Sequence, residues 1–380
     1  MKTIGIIAEY NPLHLGHIYQ IKKAKELYPD STIILITNTT FTERGEVSIL
    51  NKWTKTELSL ENEIDLVIEL PFVFATQSAD IFAKGAINIL NKLKIDILIF
   101  GSESNNIEKL TKIVDTQLNN PNYNKQVKKY LDTGLNYPTA MSKTLIDILG
   151  YTTKEPNDLL GISYIKEIKR NNYNIKPVSI KRTNNYHSQT INTNIVNASL
   201  IRKMYNNNEP IDNYIPQNTK KHLYKNLTTN SYFPYLKYKI ITTNNLEIYQ
   251  TVDEGIENRI KKAILISKNW SELVENIKTK RYTYNKINRM LIHILTNFTK
   301  EEAKNLTIDY IRVLGFKKKK KNHLNKIKKE LDNPIITNYK PNISKILDIE
   351  LRATSIYELP LNTNLTEQEY KHPPIIKDNY

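Results

Sequence analysis

The chain has 380 residues, of which 39% are apolar and 25% charged. That excludes global disorder and exceeds what one compact core usually covers, so two or three domains are expected. Cysteine is absent, which rules out disulfides, thiolate metal sites and a cysteine nucleophile, while 55 Lys+Arg against 39 Asp+Glu leave a net charge of +16 that favours a polyanionic partner or a phosphate-rich substrate.

An AT-rich genome would produce the same abundance of Asn, Lys, Ile and Tyr. No apolar run approaches the ~20 residues needed to cross a bilayer. Met1 to Glu9 reads as a strand and not as a signal peptide. A cytoplasmic protein without membrane contact is expected.

In chain order, apolar runs at Thr3–Ala8, Thr32–Ile36, Asp65–Leu70 and Ile95–Phe100 predict strands. Unbroken runs rich in β-branched residues fit strands buried on both faces of a parallel sheet. Between them, His17–Leu27, Lys52–Glu63 and Ser78–Leu93 space apolar residues at three and four, as half-buried helices do. This alternation predicts a doubly wound, Rossmann-like α/β domain that binds ligands at the carboxyl ends of its strands. Residues 105–150 read as a partly helical insertion. The pattern returns with a helix at Asn157–Lys169, a strand at Lys176–Lys181 and a helix opening near Ser199. The expected organisation is a catalytic domain over 1–205, a linker or irregular layer over 206–250, and a mainly α-helical basic region over 251–380. A further helix or strand pair is expected near Ile346–Leu359.

The informative segment is Glu9-Tyr10-Asn11-Pro12-Leu13-His14-Leu15-Gly16-His17, where the first strand gives way to the first helix. Gly16 lets a backbone or a nucleotide approach closely. The helix N-terminus offers unpaired N–H groups and partial positive charge to phosphate. His14 and His17 can point the same way and donate to an oxyanion as charge builds there, which makes them the catalytic candidates. The alternative is a histidine pair capping a helix. Zinc would need a third ligand, and none lies nearby.

This H-x-G-H turn resembles the "HIGH" signature of nucleotidyltransferases, which attack the α-phosphate of a nucleoside triphosphate and expel pyrophosphate. Further pieces narrow the resemblance: Arg44-Gly45-Glu46, Glu69-Leu70-Pro71-Phe72, Phe100-Gly101-Ser102-Glu103, the segment Asn157 to Tyr164, Ala198-Ser199-Leu200-Ile201-Arg202, the segment Arg281 to Arg289, and Tyr310 to Phe316. In order and spacing they resemble the bacterial tRNA(Met) cytidine acetate ligase family over most of the chain.

That resemblance implies a two-step reaction. Acetate attacks the α-phosphate of ATP, giving acetyl-adenylate and pyrophosphate. The exocyclic amine of the wobble cytidine in elongator tRNA(Met) then takes the acetyl group, giving N4-acetylcytidine and AMP. It also implies ATP contacts along Ile7, Ala8, Glu9, Tyr10, Asn11, Pro12, Leu13, His14, Leu15, Gly16, His17, Ile18, Tyr19 and Gln20, and at Gly101, Asn157 and Arg182. Mg²⁺ is expected to bridge the phosphates, held largely by ATP and water.

The residue types agree. Gly101 ends a strand where a side chain would block a nucleotide. Asn157 could read adenine or ribose, or cap its helix. Arg182 offers a fork of donors to phosphate, or is a solvated neighbour of Lys181. Ser199 and Arg202 could hold the triphosphate tail, although Ser199 could equally be a helix cap. His187 is expected to play a structural part. Carboxylate is already a nucleophile at neutral pH, so adenylation needs no strong base; the acceptor of the amine's proton is not identified.

In the basic half, Lys280, Arg281, Lys286 and Arg289 interleave with Tyr282 and Tyr284, a pattern suited to phosphate contacts and base stacking on tRNA. Both tyrosines could instead belong to the core. The run Lys317–Lys321 reads as a solvated face with nonspecific attraction for RNA. One stretch departs from the family pattern. Where relatives usually read Ser-Gly-Asn-Phe-x-Gln-Arg-Gly, this chain has Asn38-Thr39-Thr40-Phe41-Thr42-Glu43-Arg44-Gly45, which adds a negative charge near the anions. Two other readings remain: a small-molecule nucleotidyltransferase of the same fold, and an RNA-binding protein with a decayed nucleotide fold.

Overall fold

A computed structural model describes residues 2–182 and 195–378. His187 lies outside the described residues. The elements run β1 (Thr3–Ile7), α1 (Leu15–Leu27), β2 (Thr32–Thr37), α2 (Lys52–Glu61), β3 (Leu66–Glu69), α3 (Phe72–Ala75), α4 (Ala79–Lys92) and β4 (Ile97–Ser102). There follow α5 (Ile107–Asn119), α6 (Tyr123–Asp132), α7 (Tyr137–Leu149), α8 (Pro156–Arg170), β5 (Lys176–Lys181) and α9 (Ala198–Asn206). The remainder is α10 (Phe233–Thr242), α11 (Ile256–Ile266), α12 (Trp270–Ile277), α13 (Tyr284–Leu295), β6 (Ile311–Lys317), α14 (Lys321–Glu330), β7 (Ile335–Ile336), α15 (Lys345–Glu358), α16 (Leu365–Lys371) and β8 (Ile375–Lys377).

The sheet order is β5-β4-β1-β2-β3-β6-β7, with β8 also on β6. Strands β1 to β5 are mutually parallel, and β1 and β2 are lined by residues almost wholly withdrawn from water. This is the doubly wound α/β fold that the unbroken apolar runs predict. The chain leaves β1 towards β2 on one side and returns through β4 on the other. The loops after β1 and β4 therefore part company, opening a crevice at their carboxyl ends.

The rest of the chain is mainly helical, but it is not a separate layer. Ile311–Lys317, expected within helical territory, is a strand that joins the central sheet antiparallel to β3, with Leu66 opposite Phe316 and Ile68 opposite Val313. The stretch 206–250 contains α10, whose Phe233, Leu236 and Ile240 are buried. Its polar Asn- and Thr-rich flanks concealed that apolar face. The expected helix near Ile346–Leu359 is α15, and the 105–150 insertion is the three helices α5 to α7.

A cluster of buried charges fastens the C-terminal elements to the sheet. Lys52 Nζ of α2 lies 2.8 Å from Glu69 at the end of β3 and 2.5 Å from Glu369 of α16. Arg312 of β6 lies 2.5 Å from Glu369 and 3.6 Å from Glu69. Thr354 of α15 donates to Glu369 at 2.7 Å. Burial opposes ionisation of Glu369, but Lys52 and Arg312 outweigh it and hold its carboxyl down at about 2. Beside it, Glu350 of α15 accepts from Thr39 Oγ1 at 2.5 Å and from the Phe72 N–H at 2.6 Å. Removing one member of such a cluster leaves a buried charge without compensation. Arg312→Met is accordingly expected to lower unfolding free energy by about 3–5 kcal/mol, read from urea denaturation; a loss under ~1 kcal/mol would mean the cluster is not what holds the halves together.

Candidate active site

The crevice at the carboxyl ends of β1 and β4 opens into a cleft lined by both strand ends, the loop after β2, α8 and the start of α9. Its floor is the β1–α1 turn. His14 is the N-cap of α1, and its Nδ1 accepts the Gly16 N–H at 3.0 Å. His17 Nδ1 accepts the His14 N–H at 3.3 Å, so the two rings cap the helix reciprocally. They stack at 3.8 Å between centroids, and Tyr10 lies against His17 at 4.6 Å. A Cβ on Gly16 would sit 2.8 Å from the His14 ring. Gly16 is therefore required by the histidine cap, not only by an approaching nucleotide.

Capping and catalytic readings of the pair are thus compatible. With each Nδ1 used as an acceptor, the ring proton belongs on Nε2 of both imidazoles. Burial, then the neighbouring Arg182 and Arg202 charges, push His14 down to about 3. Burial, then His14 and Arg182, push His17 well below the usual histidine range. Both rings are neutral donors at pH 7.

Three side-chain clusters surround this floor. In the first, Glu103 accepts from Asn157 Nδ2 at 2.6 Å and from the Asp158 N–H at 3.0 Å. Arg182 reaches Asn157 Oδ1 at 3.5 Å, and its buried Nε lies 3.9 Å from Glu103 with no hydrogen-bond partner among the described residues. Asn157 is thus not a helix cap, because Glu155 holds that position in α8. A Cβ on Gly101 would touch the Arg182 stem at 3.4 Å. The bare backbone lets the arginine close down over the strand end. Phe82, Phe100 and Leu160 provide apolar wall nearby.

In the second, Arg202 NH1 donates to the Asn11 carbonyl at 2.7 Å, and NH2 reaches Glu46 at 2.5 Å and Ser199 Oγ at 3.3 Å. Asn197 caps α9 by accepting from the Leu200 N–H, so Ser199 is not the cap. The α9 N-terminus, with Ala198 and Ser199, faces the cleft.

The third cluster holds Glu9, Glu43, Lys55, Arg44 and Tyr164. Glu9 Oε1 accepts the Glu43 N–H at 2.7 Å. Lys55, fully buried, donates to Asn38 Oδ1 at 2.7 Å. Arg289 of α13 donates to the Glu43 carbonyl at 2.9 Å and pairs with its carboxylate at 3.2 Å. Gly45 has φ +72°, and a Cβ there would come within 2.4 Å of the Arg289 nitrogen. The loop departing from the family pattern is therefore clamped against α13.

Of the residues expected on the nucleotide, Ile7, Ala8, Glu9, Tyr10, Asn11, His14, Gly16, His17, Tyr19, Gln20, Gly101, Asn157, Arg182, Ser199 and Arg202 line this cleft and its inner recess. Pro12, Leu13, Leu15 and Ile18 do not; Leu13 is core, and the Leu15 N–H is spent on the Tyr214 carbonyl. Phe82, Leu160 and Tyr164 received no role from the sequence, and Glu43, in the loop after β2, only that of a negative charge near the anions. The first three were hidden because helix residues facing a cleft keep the same spacing as residues facing a core.

The basic candidates separate. Lys280 and Arg281 are exposed, and Arg281 lies 3.3 Å from Glu254. Lys286 sits over the Tyr282 ring at 4.5 Å. Tyr282 is core, donating to the Asp253 carbonyl, whereas Tyr284 is exposed. Arg289 is only 12% exposed and committed to Glu43, so it braces the loop rather than presenting a free cation. Lys280 meets the insertion through Asn136, whose Nδ2 donates to its carbonyl at 3.3 Å. No helix among the described residues is long and apolar enough to cross a membrane.

A sequence model of the HIGH nucleotidyl transferase family matches residues 1–372. A tRNA(Met) cytidine acetate ligase of Anoxybacillus flavithermus is 36% identical over 99% of this chain and 100% of its own length. One from Bacillus subtilis is 35% identical over 100% of this chain and 98% of its own. The crystal structure of Thermotoga maritima TmcAL without ligand superposes with a TM-score of 0.92 at 25% identity, covering all of both chains. The form of that protein bound with alpha-thio ATP gives 0.90 at 26% identity, again over both whole chains.

The depressed imidazoles link stability to pH. Below the ordinary histidine value of ~6.5 the unfolded chain takes up protons that the folded chain refuses, so stability present above that pH is lost as pH falls towards about 3. The urea midpoint is expected to drop between pH 7 and 4, and less steeply in His14→Asn, which keeps an acceptor for the cap. An equally steep fall in that variant would show that His14 is not held neutral.

Proposed function

The chain belongs to the HIGH nucleotidyl transferases and, within them, to the tRNA(Met) cytidine acetate ligase family; we propose on that premise that it activates acetate with ATP and acetylates the wobble cytidine of elongator tRNA(Met) at N4. The observation that carries this reading is the pair of neutral imidazoles on the cleft floor, flanked by Arg182 and Arg202.

Acetate is the nucleophile and needs no base. His14 and His17 donate Nε2–H groups to the α-phosphoryl oxygens, and these bonds strengthen as charge builds in the transition state. Ser199, Arg202 and the α9 N-terminus suit the departing pyrophosphate. Gly101, Asn157 and Arg182, with the apolar wall of Phe82, Phe100 and Leu160, suit adenosine and the α-phosphate. Among the described residues no three His, Asp or Glu side chains gather as a metal cage. A Mg²⁺ ion would be carried by the triphosphate and water, supplying charge neutralisation. Lys280, Arg281 and Lys286 lie at or near the start of α13, the helix that braces the Glu43 loop through Arg289. That proximity supports RNA delivered to the mouth of the cleft.

The test is acetate-dependent ATP–pyrophosphate exchange, followed by transfer of labelled acetate into bulk bacterial tRNA as N4-acetylcytidine. His17→Ala is expected to slow exchange by about 10²–10³-fold; undiminished exchange would remove the imidazole pair from the mechanism. The double variant Lys280→Glu/Arg281→Glu is expected to weaken tRNA binding and flatten its salt dependence. Unchanged affinity would take this segment out of the RNA interface.

A further inference from the structure

The second half-reaction has a demand that the cleft floor does not meet. When the cytidine amine attacks acetyl-adenylate, the N4–C bond forms, the bond from the acetyl carbon to the phosphate oxygen breaks, and AMP leaves with the electron pair. A proton must leave N4. His14 and His17 cannot take it, because their Nδ1 atoms accept backbone N–H groups and their Nε2 atoms already carry protons.

Three carboxylates line the cleft: Glu9, Glu43 and Glu46. Glu43 is paired with Arg289 at 3.2 Å and Glu46 with Arg202 at 2.5 Å. Glu9 has no ion-pair partner within reach among the described residues. One of its oxygens accepts from the Glu43 N–H at 2.7 Å; the other accepts no hydrogen bond from the described residues. Glu9 also directly precedes the Tyr10–His17 turn, so it shares a wall with the imidazoles proposed to hold the α-phosphate.

Resting on the function proposed above, we propose that the free oxygen of Glu9 accepts the N4 proton of the target cytidine. The same oxygen can accept an N4–H hydrogen bond before reaction, as carboxylates do from cytosine. Uracil presents a carbonyl there and has nothing to donate, so this contact would also select the base.

The surroundings suit a base working near neutrality. Burial and the Glu43 charge push the Glu9 carboxyl up, while its hydrogen bond from Glu43 and the charges of Lys55 and Arg44 pull it back, leaving it at about 7. Tyr164, the remaining titratable group beside it, is held protonated by burial. A base of that strength is ionised at working pH yet still takes up a proton readily. After transfer the proton passes to water.

The experiment is single-turnover transfer from preformed acetyl-adenylate to an anticodon stem-loop RNA with a wobble cytidine, corrected for uncatalysed acetylation, between pH 5.5 and 8.5. The wild-type rate should rise about tenfold per pH unit below about 7 and then level off. Glu9→Gln, which keeps an acceptor for the Glu43 N–H, should slow transfer about 10²-fold or more and lose the acidic limb. Glu43→Gln removes the like charge and should move that limb to lower pH. No transfer by the wild type would overturn the function itself. A wild type that transfers, with Glu9→Gln matching its rate and limb, would overturn this inference alone. Should Glu9→Gln lack a cooperative melting transition, the Glu43→Gln profile decides, and an unmoved limb overturns the assignment.

Discussion

The two halves of the chain are held together by a set of charges buried where β3 ends. Lys52, Glu69, Arg312 and Glu369 come from α2, β3, β6 and α16, and none reaches water. Such a group tolerates no partial assembly, because any absent member leaves another desolvated and unpaired. The consequence reaches the ligand edge of the sheet. Glu350, in the adjoining helix, grips Thr39 and the start of α3, fixing where the loop after β2 begins. The C-terminal helices therefore brace the loop after β2 from behind, while the residues lining the cleft come from the Rossmann-like half.

Within the cleft, the electrostatics divide the labour. Burial first, then the Arg182 charge, joined at His14 by that of Arg202, depresses both imidazoles and keeps them neutral. A protonated pair 3.8 Å apart would repel itself and unmake the helix cap. Capping of α1 uses Nδ1 of each ring, which leaves Nε2 for the donation to phosphate proposed above. Beside them lie Glu9 and Glu43, whose carboxyls burial pushes up, and the buried Lys55, whose ammonium burial pushes down. In the reaction proposed above, anion stabilisation and proton removal fall to neighbouring side chains along one stretch of the cleft.

The parallel sheet was legible because its strands are unbroken apolar runs bounded by turns, and the H-x-G-H turn announced the floor. Less was legible where a residue answers to something distant. Ile311–Lys317 carries a buried arginine, which disguises a central strand unless Glu69 and Glu369 are known to lie beside it. Arg289 looked like one more cation in a basic stretch, yet its partner is 246 positions away at Glu43. Asn157 and Ser199 sat at helix starts and resembled caps, whereas Glu155 and Asn197 occupy those positions.

Gly45 packs its bare Cα against the backbone of α13, and Glu43 and Arg289 close the same seam. These three positions form a single packed seam. A chimaera that joins residues 1–205 of this chain to the C-terminal half of a relative would break the seam unless the donor brings an arginine where Arg289 stands and leaves room for the loop. Recombination between such genes would be filtered by this contact, however innocuous a junction near residue 205 looks, and the filter would be visible as chimaeras that express without a cooperative melting transition. The working boundary between the halves is a surface, not a point along the chain.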